Sequence, residues 1–289
     1  MRFLRTTAIA GTMALASGGA YAASVTVSTD ATALANALLG SGITVVSASL
    51  TGGNGSGSAG ATAAGTFTGF GATGIGIDQG VILSTGDVQD AVGPNSSDGT
   101  STSFGLGGDS DLNALIPGFS TFDATVLTIN FTSDDDTLFF NYAFASEEYN
   151  EYVGSPYNDV FGLFLNGTNL AFIPGTSTPV SINNVNNGSN SAFYKDNDPS
   201  DLGTPTPFNI EYDGFTSVFT AQGAIAEGMN TISFKIADAG DRILDSAIFI
   251  QGGSLGTTDP GVIPLPAGAW LMLTGLGALG VMRRRRNRA

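Results

Sequence analysis

The chain of 289 residues has 10 Lys and Arg against 25 Asp and Glu, and it contains neither cysteine nor histidine. Those absences exclude disulfides, thiol catalysis, the usual zinc sites and Ser-His-Asp machinery. The acidic excess opposes binding to nucleic acid or anionic lipid and favours divalent cations wherever carboxylates converge.

Arg2 and Arg5 precede an apolar run over residues 8–16 and then Ala20-Tyr21-Ala22. This is the charge order and small-residue cleavage site of a secretory signal peptide, assigned to residues 1–22. All 25 acidic residues lie within residues 24–260, but only three of the basic ones do, so that stretch carries 3 − 25 = −22. The 41 glycines of the whole chain, with frequent Thr, Ser and Asn, suit an all-β protein with many tight turns.

Residues 25–29 read as a strand. Asp30 can cap a helix with Leu34, Leu38 and Leu39 as its apolar stripe and Gly40 at its end, expected to be the only substantial helix. Strands follow at 43–50, 65–70 and 81–85, the first two separated by a loop of small residues over 51–64. Residues 87–122 are rich in turns. Within them Asp109, Asp111 and Asn113 begin like a calcium loop, but Ala114 stands where an EF-hand needs Gly and Ser120 replaces the closing Glu. A plain surface turn is expected there.

Residues 125–131 set Leu127, Ile129 and Phe131 on one face, and Asp134, Asp135 and Asp136 form a solvated turn. Residues 137–145 alternate, with Leu138, Phe140, Tyr142 and Phe144 on one side of the pleat. Residues 159–165 are apolar on both faces and end at Asn166-Gly167, a pair suited to a tight hairpin turn. Residues 174–207 read mostly as loop, and 217–221, 229–237 and 245–251 as the last strands. Ten or so short strands with one short N-terminal helix point to an all-β, antiparallel two-sheet sandwich, jelly-roll-like, with no internal repeat.

The candidate site combines Glu147, Glu148 and Asp159 with Asp238, Asp241 and Asp245. Calcium takes six to eight oxygens from carboxylates and carbonyls on turns that can bend around it, so these acids form a calcium site if their loops converge. The alternative is that they cap turns, accept backbone N–H bonds, or pair with Arg242 and Lys235. Tyr149, Tyr152 and Tyr157 beside the acidic loop could stack on a sugar, or pack the loop against the sheets. Catalysis by paired carboxylates needs two groups facing each other across a substrate, roughly 5–10 Å apart. Glu147 and Glu148 are adjacent and, if extended, point to opposite faces. Ser84-Thr85-Gly86 is not the aspartic-protease motif, so no enzyme is expected.

Three segments carry a resemblance. SEEYNEYVGSPYNDVFGLFLNG (residues 146–167), KIADAGDRILDSAIFIQGGS (235–254) and, more loosely, GIDQGVILSTGDVQDAVGPN (76–95) resemble the choice-of-anchor L domain, a family of bacterial surface-protein modules. The resemblance sets the domain at residues 24–256. It implies an exported β-rich module attached to cells by varied C-terminal anchors, and no defined biochemical activity.

A linker over residues 257–263 leads to a C-terminal segment, 264–289. Ile263-Pro264-Leu265-Pro266-Ala267 precedes an apolar run to Met282 and then Arg283, Arg284, Arg285 and Arg286. The run from Pro264 to Met282 is about 28 Å long as a helix, barely a bilayer core. The arginines would hold its end in the cytoplasm. The arrangement resembles the VPLPA-type variant of the PEP-CTERM sorting signals, with Ile263 where that motif has Val. That resemblance implies an exosortase-type processing protease and a transient stay in the inner membrane; a permanent anchor is the simpler alternative. The expected protein is an exported structural or adhesive component of the cell surface or a biofilm-type matrix, with calcium as its conceivable cofactor. The other reading is a lectin-like module that binds surface glycans or exopolysaccharide.

Overall fold

The structure, a computed structural model, describes residues 22–54 and 61–261. The signal peptide, the Ile263–Ala267 motif, the apolar run and the Arg283–Arg286 cluster all fall outside the described residues. Among the described residues no helix is long and apolar enough to cross a membrane.

The strands are β1 (Ser24–Val27), β2 (Thr44–Thr51), β3 (Ala64–Thr68) and β4 (Gly80–Ser84), then the long β5 (Thr121–Ser133) and β6 (Thr137–Ser146). Next come β7 (Val160–Leu165), β8 (Thr168–Asn169), β9 (Tyr194–Asp196) and β10 (Gly214–Thr216). The last three are β11 (Phe219–Ala224), β12 (Gly228–Ala239) and β13 (Ser246–Gln251). They form two sheets. The eight-stranded sheet runs β1-β3-β4-β13-β6-β10-β9, with β11 also paired to β6, and the five-stranded sheet runs β2-β5-β12-β7-β8. The pairs within each sheet are antiparallel. The two-sheet sandwich read from the sequence is therefore the observed architecture.

Alternation decides which side chains fill the space between the sheets. Leu138, Phe140, Tyr142 and Phe144 of β6 all enter the main core, as their spacing predicts. Leu127, Ile129 and Phe131 of β5 and Ile232, Phe234 and Ile236 of β12 meet them from the other sheet. Phe140 and Phe234 pack edge to face across the gap, 5.5 Å between ring centroids. The opposite face of the eight-stranded sheet is not bare. Ala143, Ala145, Ala247 and Phe249 are covered there by Phe70, Ile75, Val88, Ile210 and Tyr212 from loops, which make a second core. Asn166 (φ 49°) and Gly167 (φ 83°) supply the left-handed turn between β7 and β8 that their sequence calls for.

Helix α1 (Ala31–Leu38) forms where expected. The Asp30 carboxylate accepts the N–H groups of Thr32 and Ala33, both at 3.0 Å, and Leu34 and Leu38 are buried. Leu39, placed in the stripe by the sequence, instead leaves the helix in extended conformation and bridges to Leu255. Two more short helices, α2 (Ser110–Leu115) and α3 (Pro199–Leu202), correct the expectation of one. Both begin at an Asp N-cap, Asp109 and Asp198. They lie in stretches whose many turn residues hide such short segments from a periodicity argument.

The cross-sheet aromatic contact gives a direct test. Phe234→Ala is expected to destabilise the domain by about 3–5 kcal/mol through lost burial and a cavity. Denaturant unfolding would measure it, and a loss below about 1 kcal/mol would contradict this packing.

Candidate functional site

The eight-stranded sheet turns acidic at the end of β6. Ser146 pairs with Ser246 of β13 on one side and with Gly214 of β10 on the other. One residue further, this register sets Glu147 between Asp245 and Asp213, and the Glu147 N–H donates to the Asp245 carbonyl at 3.0 Å. Cross-strand neighbours project to the same face. By the alternation of Ala145, Ala247 and Phe215, that face is the one carrying the second core. Three carboxylates thus stand side by side on a stiff frame.

A second group lies between the sheets. Asp159 Oδ1 accepts the N–H of Ala239 on β12 at 2.8 Å, and its Oδ2 accepts the Ser246 hydroxyl of β13 at 2.6 Å. One carboxylate so ties the two sheets together. Asp238 lies at an irregularity of β12, where the register with β5 shifts between Ile236 and Asp238. Glu148 faces Asp159 and Asp241. Of the six acids predicted from the sequence, Glu147, Glu148, Asp159, Asp238 and Asp245 are buried at this end of the sandwich. Asp241 is not; it sits half-buried at the rim, where its carboxylate accepts the Ile243 N–H at 3.1 Å.

Some carboxylates here are well satisfied. Asp245 accepts the Thr102 N–H on both oxygens, at 3.1 and 3.0 Å. Gly86 makes room for it, because a Cβ there would lie 1.8 Å from Asp245 Oδ2. Asp123 gathers the Ser103 hydroxyl and the N–H groups of Phe104 and Leu106. Others are bare: neither oxygen of Glu147 has a hydrogen-bond partner, and Glu148 Oε2, Asp213 Oδ2 and Asp238 Oδ1 have none either.

The basic side chains do not fill the gap. Lys235 bonds Asp109 and Asp111 at 2.7 Å each, Arg242 approaches Asp123 at 4.0 Å, and Lys195 donates to the Gly74 carbonyl at 2.6 Å. The alternative that Lys235 and Arg242 neutralise the six predicted acids is thereby corrected. Lys235 instead fastens the start of α2, where the sequence suggested a plain surface turn.

Burial without a counter-charge disfavours the ionised form. It pushes Glu147, Asp238 and Asp245 well above the usual carboxylate range, with neighbouring carboxylates adding to the effect. Asp213 is raised to about 8 by burial, against the Asn95 hydrogen bond. Glu148 and Asp159 are raised together, again chiefly by burial. Such oxygens are of the type that calcium takes, but among the described residues the carboxylates with oxygens mutually within 4.8 Å are those of Asp98, Glu151 and Asp198, not of the six predicted acids.

Sequence reasoning missed Asp213, and with it Glu211, whose carboxylate holds Ser96 and Thr100. Both precede a three-residue strand, β10, too short to announce itself by alternation. The tyrosine reading also changes. Tyr149 is buried, donates its hydroxyl to the Val185 carbonyl at 2.7 Å, and packs on Tyr194, so it is closed to a sugar. Tyr152 is exposed, edge to face with Tyr157.

These shifts fix a sign. The folded-state pKa values lie above the ordinary 3.8 and 4.5, so the cation-free folded protein keeps protons that the unfolded chain releases. Its stability therefore falls as pH rises from about 4 through about 10. In chelator, the melting temperature of the full chain is expected to be lower near pH 9 than near pH 5, by several degrees. A melting temperature that rises over this range would contradict the unpaired state of the cluster.

The segments that lead here are far apart in the chain. Residues 84–86 and Asn95 come from the first, Glu147, Glu148 and Asp159 from the second, and Asp238, Asp241 and Asp245 from the third. A family model, the choice-of-anchor L domain, matches residues 24–256. No curated protein matches the chain, and no solved structure does. The match takes in both sheets and every acid of the cluster, and the chain belongs to the choice-of-anchor L domain family, as a surface-associated protein of some kind.

Proposed function

We propose that this protein is a structural or adhesive module displayed outside the cell, with its acidic end stabilised by calcium. The observation that supports this most directly is Glu147: buried, flanked by Asp213 and Asp245, and with no partner for either carboxylate oxygen. Calcium would turn the mutual repulsion of these acids into shared coordination. Asp213 offers a further free oxygen beside it, and Glu148 and Asp238, in the group between the sheets, have one each. The role is mechanical, and the reading assigns no reaction to these carboxylates. The lectin alternative retains Tyr152, with its edge against Tyr157, and loses Tyr149.

Delivery follows from the two ends of the sequence. Residues 1–22 direct export, and Ile263–Ala267, the apolar run and Arg283–Arg286 form a signal read by an exosortase-type protease during a transient stay in the inner membrane. Surface glycans or exopolysaccharide are the partners that suit a module released this way.

Calcium at about a hundred times its dissociation constant is expected to raise the melting temperature of the full chain by about 5–10 °C. Glu147→Gln should raise the melting temperature in chelator and remove most of that gain; an equal calcium response in the variant would overturn the reading. For delivery, mass spectrometry of the mature protein is expected to find a C-terminus upstream of Arg283. An intact tail retained in the inner membrane would instead mean a permanent anchor.

A further inference from the structure

Beside the central cluster lies another acidic group that none of the sequence motifs marks. One carboxylate oxygen each from Asp98, Glu151 and Asp198 lies within 4.8 Å of the others. Such crowding alone means little, since exposed acids gather often. Asp198 differs: it is almost fully buried, and its Oδ2 has no hydrogen-bond partner. Its Oδ1 is already used, accepting the Ser200 N–H at 2.6 Å as the N-cap of α3. A fourth carboxylate, Asp213, is buried close enough to feel the charges of all three. Its Oδ1 accepts from Asn95 Nδ2 at 2.7 Å, and its Oδ2 has no partner.

We propose that Asp98, Glu151 and Asp198 form a second divalent-cation site that takes calcium and clamps three surface loops together. Mutual distances within 4.8 Å allow all three to reach one ion, since two oxygens on opposite sides of calcium, each at about 2.4 Å, are roughly 4.8 Å apart. Three carboxylates, some of them bidentate, supply about half or more of the six to eight oxygens that calcium needs. Asp98 and Glu151 are exposed, so water completes the shell on the outer side. The basic residues are engaged elsewhere: Lys195 at Gly74, Lys235 at α2, Arg242 at Asp123.

The hydrogen bonds around the site show what a cation would hold. Ser200 Oγ donates to Asp98 Oδ2, which ties the loop before β5 to α3. Asn150 Nδ2 donates to Asp201 at 2.9 Å, which brings the loop after β6 to the same helix. Asn95 also donates to the Asn197 carbonyl at 2.9 Å. Polar contacts thus join the three loops at this point.

This site goes beyond the central calcium reading and shares no ligand with it. Calcium binding to the full chain, measured by equilibrium dialysis, separates the two. Glu151→Gln changes an exposed side chain and leaves the cores untouched; it is expected to weaken or remove one calcium equivalent, by at least about tenfold in affinity. Asp198→Asn should do the same if it folds, and Asp245→Asn should leave this equivalent in place. Unchanged stoichiometry and affinity in Glu151→Gln would overturn the proposal, even if Glu147→Gln abolishes the central response. A wild-type chain that binds no calcium at millimolar concentration would overturn both.

Discussion

Desolvation of carboxylates is the constraint that shapes this domain. Removing one uncompensated carboxylate from water costs several kcal/mol even after relaxation. A whole domain is stable by only about 5–15 kcal/mol. Glu147, Asp159, Asp213, Asp238 and Asp245 are all buried at one end of the sandwich, and the basic side chains pair elsewhere. So many buried charges without a counter-charge would consume the stability that the two cores provide. The folded state must hold protons there or hold a cation, and the upward shift of these groups states the first option in electrostatic terms.

Strand register turns that cost into a built arrangement. Since Ser146 is the common partner of Ser246 and Gly214, the residues just beyond it fall in a row across three strands, and all three are acidic. Across the sheet, the Asp159 carboxylate bonds Ala239 of one sheet and Ser246 of the other. The acidic end and the sandwich are thus one object: shifting β13 by a residue against β6 would break both the core alternation and the row of carboxylates.

Much of this was legible in the sequence, for definite reasons. The strands β5, β6, β7, β12 and β13 were readable because a sandwich needs one buried face, and Leu138-x-Phe140-x-Tyr142-x-Phe144 writes that face out. The hairpin at Asn166-Gly167 was readable because its backbone needs left-handed residues. That Glu147, Glu148 and Asp159 sit at the same end of the sandwich as Asp238 and Asp245 follows from the last strand lying beside the central ones, as β13 and β6 do. Asp213 and Asp198 were invisible because they flank elements of three and four residues, where neither period nor moment can register. Tyr149 misled because aromatics in a polar loop read alike whether they face solvent or, as here, anchor the loop inward onto Val185 and Tyr194.

A chain without cysteine has to order its long loops by other means, and the acids take part in that task. Asp123 collects the turn at 103–106, Asp245 holds Thr102, Glu211 holds Ser96 and Thr100, and Asp198 starts α3. A carboxylate is suited to this because it accepts several hydrogen bonds and gives none. The same property limits protonation as the resting state. A protonated carboxyl must find an acceptor for its one hydrogen, and a group beside Glu147 is another acid, Asp213. Sharing one proton between the two leaves the remaining lone pairs of both still facing a dry interior. A divalent cation would engage several oxygens at once and require no donor from the protein, which is the physical ground for the calcium proposed beside Glu147.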